Sequence, residues 1–206
     1  STQTGTNSIC GLDLRGAVTS TSDILVYGIQ LEQSSYATSY IPTNGAIATR
    51  NQEICYNATP EINSQEGVLY TEISSQFEQL TPARYITIRD NSYTNRIFLR
   101  FDLNTQNITF RYFVNSAITA NLTYTIPNAT QFNKIACVWK LNSFQLWVNG
   151  LKVSEDLSAN VMGANLLNSL NFTEVNTSNP FFGNTKDLKI FNTALTDAQL
   201  QTLTTI

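Results

Sequence analysis

The stretch KIACVWKLNSFQLWVNGLKV, residues 134–153, decides the fold. It reads as three short strands: KIACVWKL (134–141), FQLWVN (144–149) and LKV (151–153). The joints between them, Asn142-Ser143 and Asn149-Gly150, carry turn chemistry. Asn-Gly between two such runs is the strongest short hairpin signal, because a type I′ turn needs φ > 0 at both central residues.

The same reading extends in both directions. GVLYTEIS (67–74), RYITIRD (84–90), RIFLRFDL (96–103) and ITFRYFV (108–114) alternate with period two, and LNSLNFTEV (167–175) and DLKIF (187–191) follow. Asp90-Asn91-Ser92 and Asn104-Thr105-Gln106-Asn107 mark further turns. Many short strands at regular spacing predict a sandwich or barrel. One helix is expected, over 196–203 near the C-terminus. Thr196 is a good N-cap with Gln199 three residues on, and Leu195 and Leu200 stand at the positions of a hydrophobic staple. Its expected task is to pack Leu195, Leu200 and Leu203 against the sandwich.

Residues 1–50 look different. SDILVYGIQLEQ (22–33) holds a strand, whereas 34–50 is small, polar and turn-rich. The expected organisation is the last strands of an upstream β-sandwich (1–33), a linker (34–51) and a sandwich domain (52–206). The sequence opens at Ser1 without Met, so a longer parent protein is expected.

The chain has 206 residues, 13% charged and 42% hydrophobic, with a net charge of −3. That balance argues against a nucleic-acid partner. No apolar run reaches the roughly 20 residues of a membrane-spanning helix, so no membrane insertion is expected. Cys10, Cys55 and Cys137 are odd in number and widely spaced, which gives neither a disulfide framework nor a zinc pattern. Histidine is absent, which removes the Ser-His and Cys-His triads.

Two motifs carry a resemblance. FGNTKDLKIFNTALTDAQLQTL (182–203) resembles the closing segment of laminin-G-like, or concanavalin A-like, jelly-roll domains, through Gly183, Asp187, Leu188, Ile190, Phe191, Asn192, Ala194, Leu195 and Gln199. Leu146, Trp147, Val148, Asn149, Gly150 and Val153 resemble the same family's central hairpin. The resemblance covers about 52–206 and implies an all-β, two-sheet antiparallel jelly-roll sandwich with one short C-terminal helix. Upstream, VYGIQLEQSSYATSYIPTNGAIATR (26–50) resembles a Q-L-E…A-T-S-Y-I-P-T…T-R segment of bacteriophage tail, fibre and other virion proteins, with Ser34 where Gly is usual. This second resemblance implies a virion-surface location, contacts with other virion subunits and a homo-oligomer, for which a trimer is the expectation.

Some domains of this fold hydrolyse glycosides, which takes two carboxylates flanking the bond about 5–5.5 Å or ~6.5–9.5 Å apart. The E-x-D-x-x-E strand pattern of such glucanases is missing. Glu72 has Tyr70 and Ser74 two residues away, Glu155-Asp156 are adjacent and would face opposite ways, and Glu61 and Glu66 are loop acids. The expected protein is therefore not an enzyme.

Parity singles out a candidate binding face. Five of the seven arginines lie between 84 and 111. On three successive strands Ile86, Ile88, Ile97, Leu99, Phe101, Leu103, Ile108, Phe110 and Tyr112 share the core side. Arg89, Arg96, Arg100 and Arg111 share the other, with Tyr85, Phe98 and Phe113. Guanidinium forks beside aromatic platforms suit uronates, sialic acids, lipopolysaccharide phosphates or a neighbouring subunit. A solvated face with cross-strand ion pairs is the alternative. Trp147 should also point away from the core, either as a sugar platform beside Asn149 or half-buried under a loop. Asp90 with Asn91 is the one candidate for Ca2+, which the resemblance allows; no other cofactor is expected. The expected function is a non-enzymatic virion module contacting glycans of the host surface or environment. A purely structural virion module and a secreted bacterial adhesin remain as alternatives.

Overall fold

The computed structural model describes residues 40, 42, 58–75, 83–102, 106–175 and 178–206. The chain divides into two units, Ser1–Gln52 and Glu53–Ile206, and every element below belongs to the second. The expected upstream strands and linker lie outside the described residues, apart from Tyr40 and Pro42.

The strands are β1 (Gly67–Ser75), β2 (Arg84–Arg89), β3 (Arg96–Phe101), β4 (Asn107–Val114), β5 (Ala117–Thr125), β6 (Asn133–Trp139), β7 (Phe144–Val148), β8 (Leu151–Asp156), β9 (Ser169–Asn171) and β10 (Gly183–Phe191). One helix, α1 (Asp197–Thr204), follows. Two antiparallel sheets form, in the orders β10-β1-β6-β7-β8 and β5-β4-β3-β2-β9. We call them the β1 sheet and the β3 sheet. This is an all-β jelly-roll sandwich.

The core lies between the sheets. The β3 sheet contributes Ile86, Ile88, Ile97, Leu99, Phe101, Ile108, Phe110 and Tyr112, the side that parity predicts. The β1 sheet answers with Leu69, Ile73, Ile135, Cys137, Trp139, Leu146 and Val148. Leu103 lies outside the described residues. Polar atoms inside are matched: Trp139 Nε1 donates to Asn63 O at 3.0 Å. The Tyr112 hydroxyl donates to Ser64 O at 2.6 Å and accepts from Met162 N–H at 3.0 Å. Cys137 is a fully buried thiol whose pKa burial pushes up.

The Asn149-Gly150 hairpin forms as its sequence predicts, with φ of 50° and 85°. A second two-residue turn, Asn115-Ser116, also has both φ positive (49° and 68°) and joins β4 to β5. Sequence reasoning did not identify β5, because Asn-Ser is a weaker turn signal and the strand is mostly Ala, Thr and Asn. Its inward Ala120 and Leu122 are nevertheless buried. The strand expected over 167–175 shrinks to Ser169–Asn171.

Helix α1 starts where predicted, with the full capping box between Thr196 and Gln199. It lies on the outer face of the β1 sheet, where Leu200 joins Val68, Ala136, Val138 and Trp147, with Phe191, Ala194 and Leu195 around them. Leu203 is only half-buried, and Thr204 is the second buried helix residue. Leu200 is 0% exposed, so Leu200→Ala should lower stability by about 2–4 kcal/mol. Uncovering Trp147 should also shift the tryptophan emission to longer wavelength. Thermal melts and fluorescence read both, and an unchanged melt with unchanged emission would contradict the packing.

Candidate functional site

The outer face of the β3 sheet is laid out by strand register. One cross-strand row runs Tyr85, Arg100, Thr109, Thr123. The next runs Asn171, Thr87, Phe98, Arg111, Asn121. The last runs Ser169, Arg89, Arg96, Phe113, Ile118. The four arginines expected to converge do share this face.

The aromatic residues there are not the free platforms that parity suggests. Tyr85, Phe98 and Phe113 are 5%, 4% and 6% exposed and form a second small core with Ala83. Tyr85 meets Phe98 edge-on with centroids 5.2 Å apart, and Phe98 and Phe113 stand 5.4 Å apart. Guanidinium groups roof the rings. The Arg96 guanidinium carbon sits 3.9 Å from the Phe113 centroid. Arg111 and Arg100 lie 5.8 Å and 5.6 Å from the Phe98 centroid. Each such contact contributes about 0.5–2 kcal/mol, depending on desolvation. Arginine suits this roof because its planar cation covers a ring while its in-plane N–H groups still point elsewhere.

The four guanidinium groups differ in how far they are committed. Arg89 is 9% exposed, lies 4.1 Å over the Tyr93 ring and donates to Asp90 O at 3.1 Å. The Tyr93 ring covers its guanidinium, which leaves little of it for the ligand contact that parity suggests. Arg100 pairs with Asp102 and donates to the Tyr85 hydroxyl at 3.0 Å. Burial works against its charge, and Tyr85 and Asp102 outweigh that, leaving its pKa raised. Arg96 donates to Tyr93 O at 2.5 Å, and Arg111 donates through Nε to Asn121 Oδ1 at 2.6 Å. Neither Arg96 nor Arg111 forms an ion pair among the described residues, and both are part-exposed. Burial lowers the Arg96 pKa, while Glu174, then Asp90, pull it back. Glu174 is itself held by Asn179 Nδ2 at 2.5 Å.

The lysines take the opposite course. All five belong to the β1-sheet side, and four are ion-paired: Lys186–Glu72 (2.7 Å), Lys189–Asp187, Lys140–Glu66 (3.6 Å), and Lys152 with Glu155 (2.9 Å) and Asp197 (3.3 Å). Lys134 donates to Thr205 O at 2.8 Å.

The other expected site residues separate from this face. Trp147 does point away from the core, but α1 covers it to 5% exposure and its Nε1 donates to Gln145 Oε1 at 2.7 Å. No ring face remains there for a sugar to stack on. Asn149 serves the turn instead of a ligand: its Oδ1 accepts from Lys134 N–H and its Nδ2 donates to Asn133 Oδ1, both at 2.9 Å. The calcium candidate does not fit either. Asp90 Oδ2 accepts from Thr94 Oγ1 (3.2 Å), Asn95 N–H (3.1 Å) and Asn95 Nδ2 (2.8 Å), which ties the carboxylate into the β2–β3 hairpin. Asp90 Oδ1 is buried without a hydrogen bond, but Asn91 is exposed, and no metal-holding cluster of three or more His, Cys, Asp or Glu occurs among the described residues. Burial raises the Asp90 pKa, and the hydrogen bonds from Asn95, Ser92 and Thr94 outweigh it and hold the group below its ordinary value.

Sequence reasoning missed Asn121 and Ile118, which border Arg111 and Phe113, because it missed β5. The alternation of Ala120 and Leu122 with Asn121 and Thr123 was the available signal. Glu174 reaches the face from the segment after β9, a long-range placement with no local pattern. The buried rings carry a direct consequence. Phe98→Ala should cost about 2–4 kcal/mol of stability, measured by denaturant unfolding, because it removes the centre of the second core. A loss under about 0.5 kcal/mol, normal for a free surface side chain, would contradict it.

No curated protein matches the chain in sequence. Among solved structures, domain 4 of the extracellular arabinanase AbnA from Geobacillus stearothermophilus, in complex with arabinotriose, has a TM-score of 0.56 at 14% identity, covering 75% of this chain and 82% of that one. The CBM40 of the Ruminococcus gnavus IT-sialidase, bound to α2,3-sialyllactose, has a TM-score of 0.52 at 14% identity, covering 68% and 83%. The SAP-like pentraxin of Limulus polyphemus has a TM-score of 0.51 at 13% identity, covering 71% and 73%. At these identities the likeness is one of fold. The family model for the concanavalin A-like lectin/glucanases superfamily matches residues 75–201, which is more than half of the chain. The chain therefore belongs to that superfamily.

Proposed function

We propose that the chain is a non-catalytic, glycan-binding module of a bacteriophage particle, carried on a fibre, spike or head appendage at the virion surface. The observation that carries glycan binding is the outer face of the β3 sheet, where arginine N–H groups are held in place over a buried aromatic layer. Such donors are pre-ordered, so little side-chain entropy is lost on binding. The fold neighbours solved with arabinotriose and with α2,3-sialyllactose support a saccharide as the ligand class. The phage assignment rests on the resemblance of residues 26–50.

Where the acids sit supports a non-catalytic role. Glu72 is bound by Lys186 across the β1 sheet, and Glu155 and Lys152 pair on the edge strand β8. Asp156 Oδ1 accepts from Ser158 N–H and Ser158 Oγ. Glu72 stands opposite Asp187 across the β1–β10 pair, but each carboxylate is paired with a lysine, Glu72 with Lys186 and Asp187 with Lys189, which does not favour the acid-and-nucleophile pair that glycoside hydrolysis needs.

The test uses the full chain on immobilised bacterial surface polysaccharides at physiological salt, with a reducing-end assay on the same material. Saturable retention with no new reducing ends is expected. Release of reducing ends would overturn the non-catalytic reading, and absence of retention on every polysaccharide would overturn glycan binding.

A further inference from the structure

The two kinds of cation are segregated between the two sheets. Every arginine among the described residues is on β2, β3 or β4, and every lysine is on the β1-sheet side. Arg89 and Arg96 stand directly opposite each other across the strand pair. Like charges so placed are destabilising. Arg84 and Arg89 are covered, and Arg100 is neutralised by Asp102. Arg96 and Arg111 remain, part-exposed and without an ion pair, over rings whose centroids are 5.4 Å apart.

We propose that Arg96 and Arg111 together receive the carboxylate of an acidic saccharide. This rests on the glycan-binding reading and narrows it to one ligand class. With Phe98 and Phe113 roofed, a sugar cannot stack on them; what the face offers is guanidinium edges. Those edges match a planar, two-oxygen anion held by parallel N–H···O bonds. A neutral sugar hydroxyl gains less from them. Beside the pair, Ile118 is 50% exposed and Asn121 is exposed, which gives the sugar's C–H surface and hydroxyl groups a border.

The experiment is a glycan array with neutral, sialylated, uronate, sulfated and phosphorylated members, probed with the full chain. Each bound glycan is then measured by titration calorimetry before and after carboxyl reduction. Binding confined to sialylated and uronate members, weakened about tenfold or more by reduction, is expected. Arg96→Gln and Arg111→Gln should each weaken it about tenfold while remaining folded, with melting temperatures lowered only by the few degrees that loss of one ring contact implies. Arg96→Lys should not restore it, because an ammonium lacks the fork. Affinity should fall as salt rises. Equal binding of neutral and acidic glycans, preference for phosphate or sulfate, or unchanged binding by the folded Gln variants would overturn the carboxylate site and leave glycan binding standing. Silence across the whole array would remove both, and a shift toward monomer in Arg96→Gln by sedimentation would then assign the face to a second copy of the chain.

Discussion

A two-sheet sandwich has four faces, and only two of them meet in the core. Every strand that is apolar on both sides must therefore bury its outer residues some other way. Both sheets here carry such strands, and the two solutions differ. The β1 sheet covers Val68, Ala136, Val138 and Trp147 with α1. The β3 sheet covers Tyr85, Phe98 and Phe113 with arginine side chains from its own neighbouring strands. One cover is apolar and closed. The other leaves hydrogen-bond donors pointing outward, and the proposed function follows from that difference.

The roof also sets its own limits. A guanidinium that lies over one ring, is held at one end by a carbonyl or amide oxygen and has a cationic neighbour retains few conformations. Arg96 is held by Tyr93 O and Arg111 by Asn121 Oδ1, so their remaining donors are aimed before any ligand arrives. Arg100 shows the contrasting case, in which an internal carboxylate consumes the charge. The lysines follow Arg100 more than Arg96, since four of them are matched to acids on their own sheet.

Much of this was legible in the sequence. Period-two alternation assigned residues 85–89, 96–101 and 108–113 to the correct faces, because a strand has only two sides. Asn149-Gly150 and the capping box at Thr196 located a hairpin and a helix through local chemistry. Burial of the outer residues was not legible. Parity says that Trp147 and Phe98 leave the core, but what covers them comes from α1 and from Arg96, Arg100 and Arg111, contacts that no single strand encodes. The strand β5 was hidden because its composition is polar and its turn lacks glycine. Asn149 shows the opposite error, a residue that looked available because it is polar yet is consumed by its own turn.

The central claim is that the arginine roof of the β3 sheet, and not the helix-covered face, is the binding surface. Its most direct test is a nitrogen–proton correlation spectrum resolving arginine Nε–H and tryptophan Nε1–H groups, recorded as an acidic saccharide is titrated into the labelled chain. The account predicts that the Arg96 and Arg111 Nε–H resonances move together and saturate, while the Trp139 and Trp147 indole resonances stay in place. Movement of the Trp147 indole with the arginine resonances unchanged would contradict it.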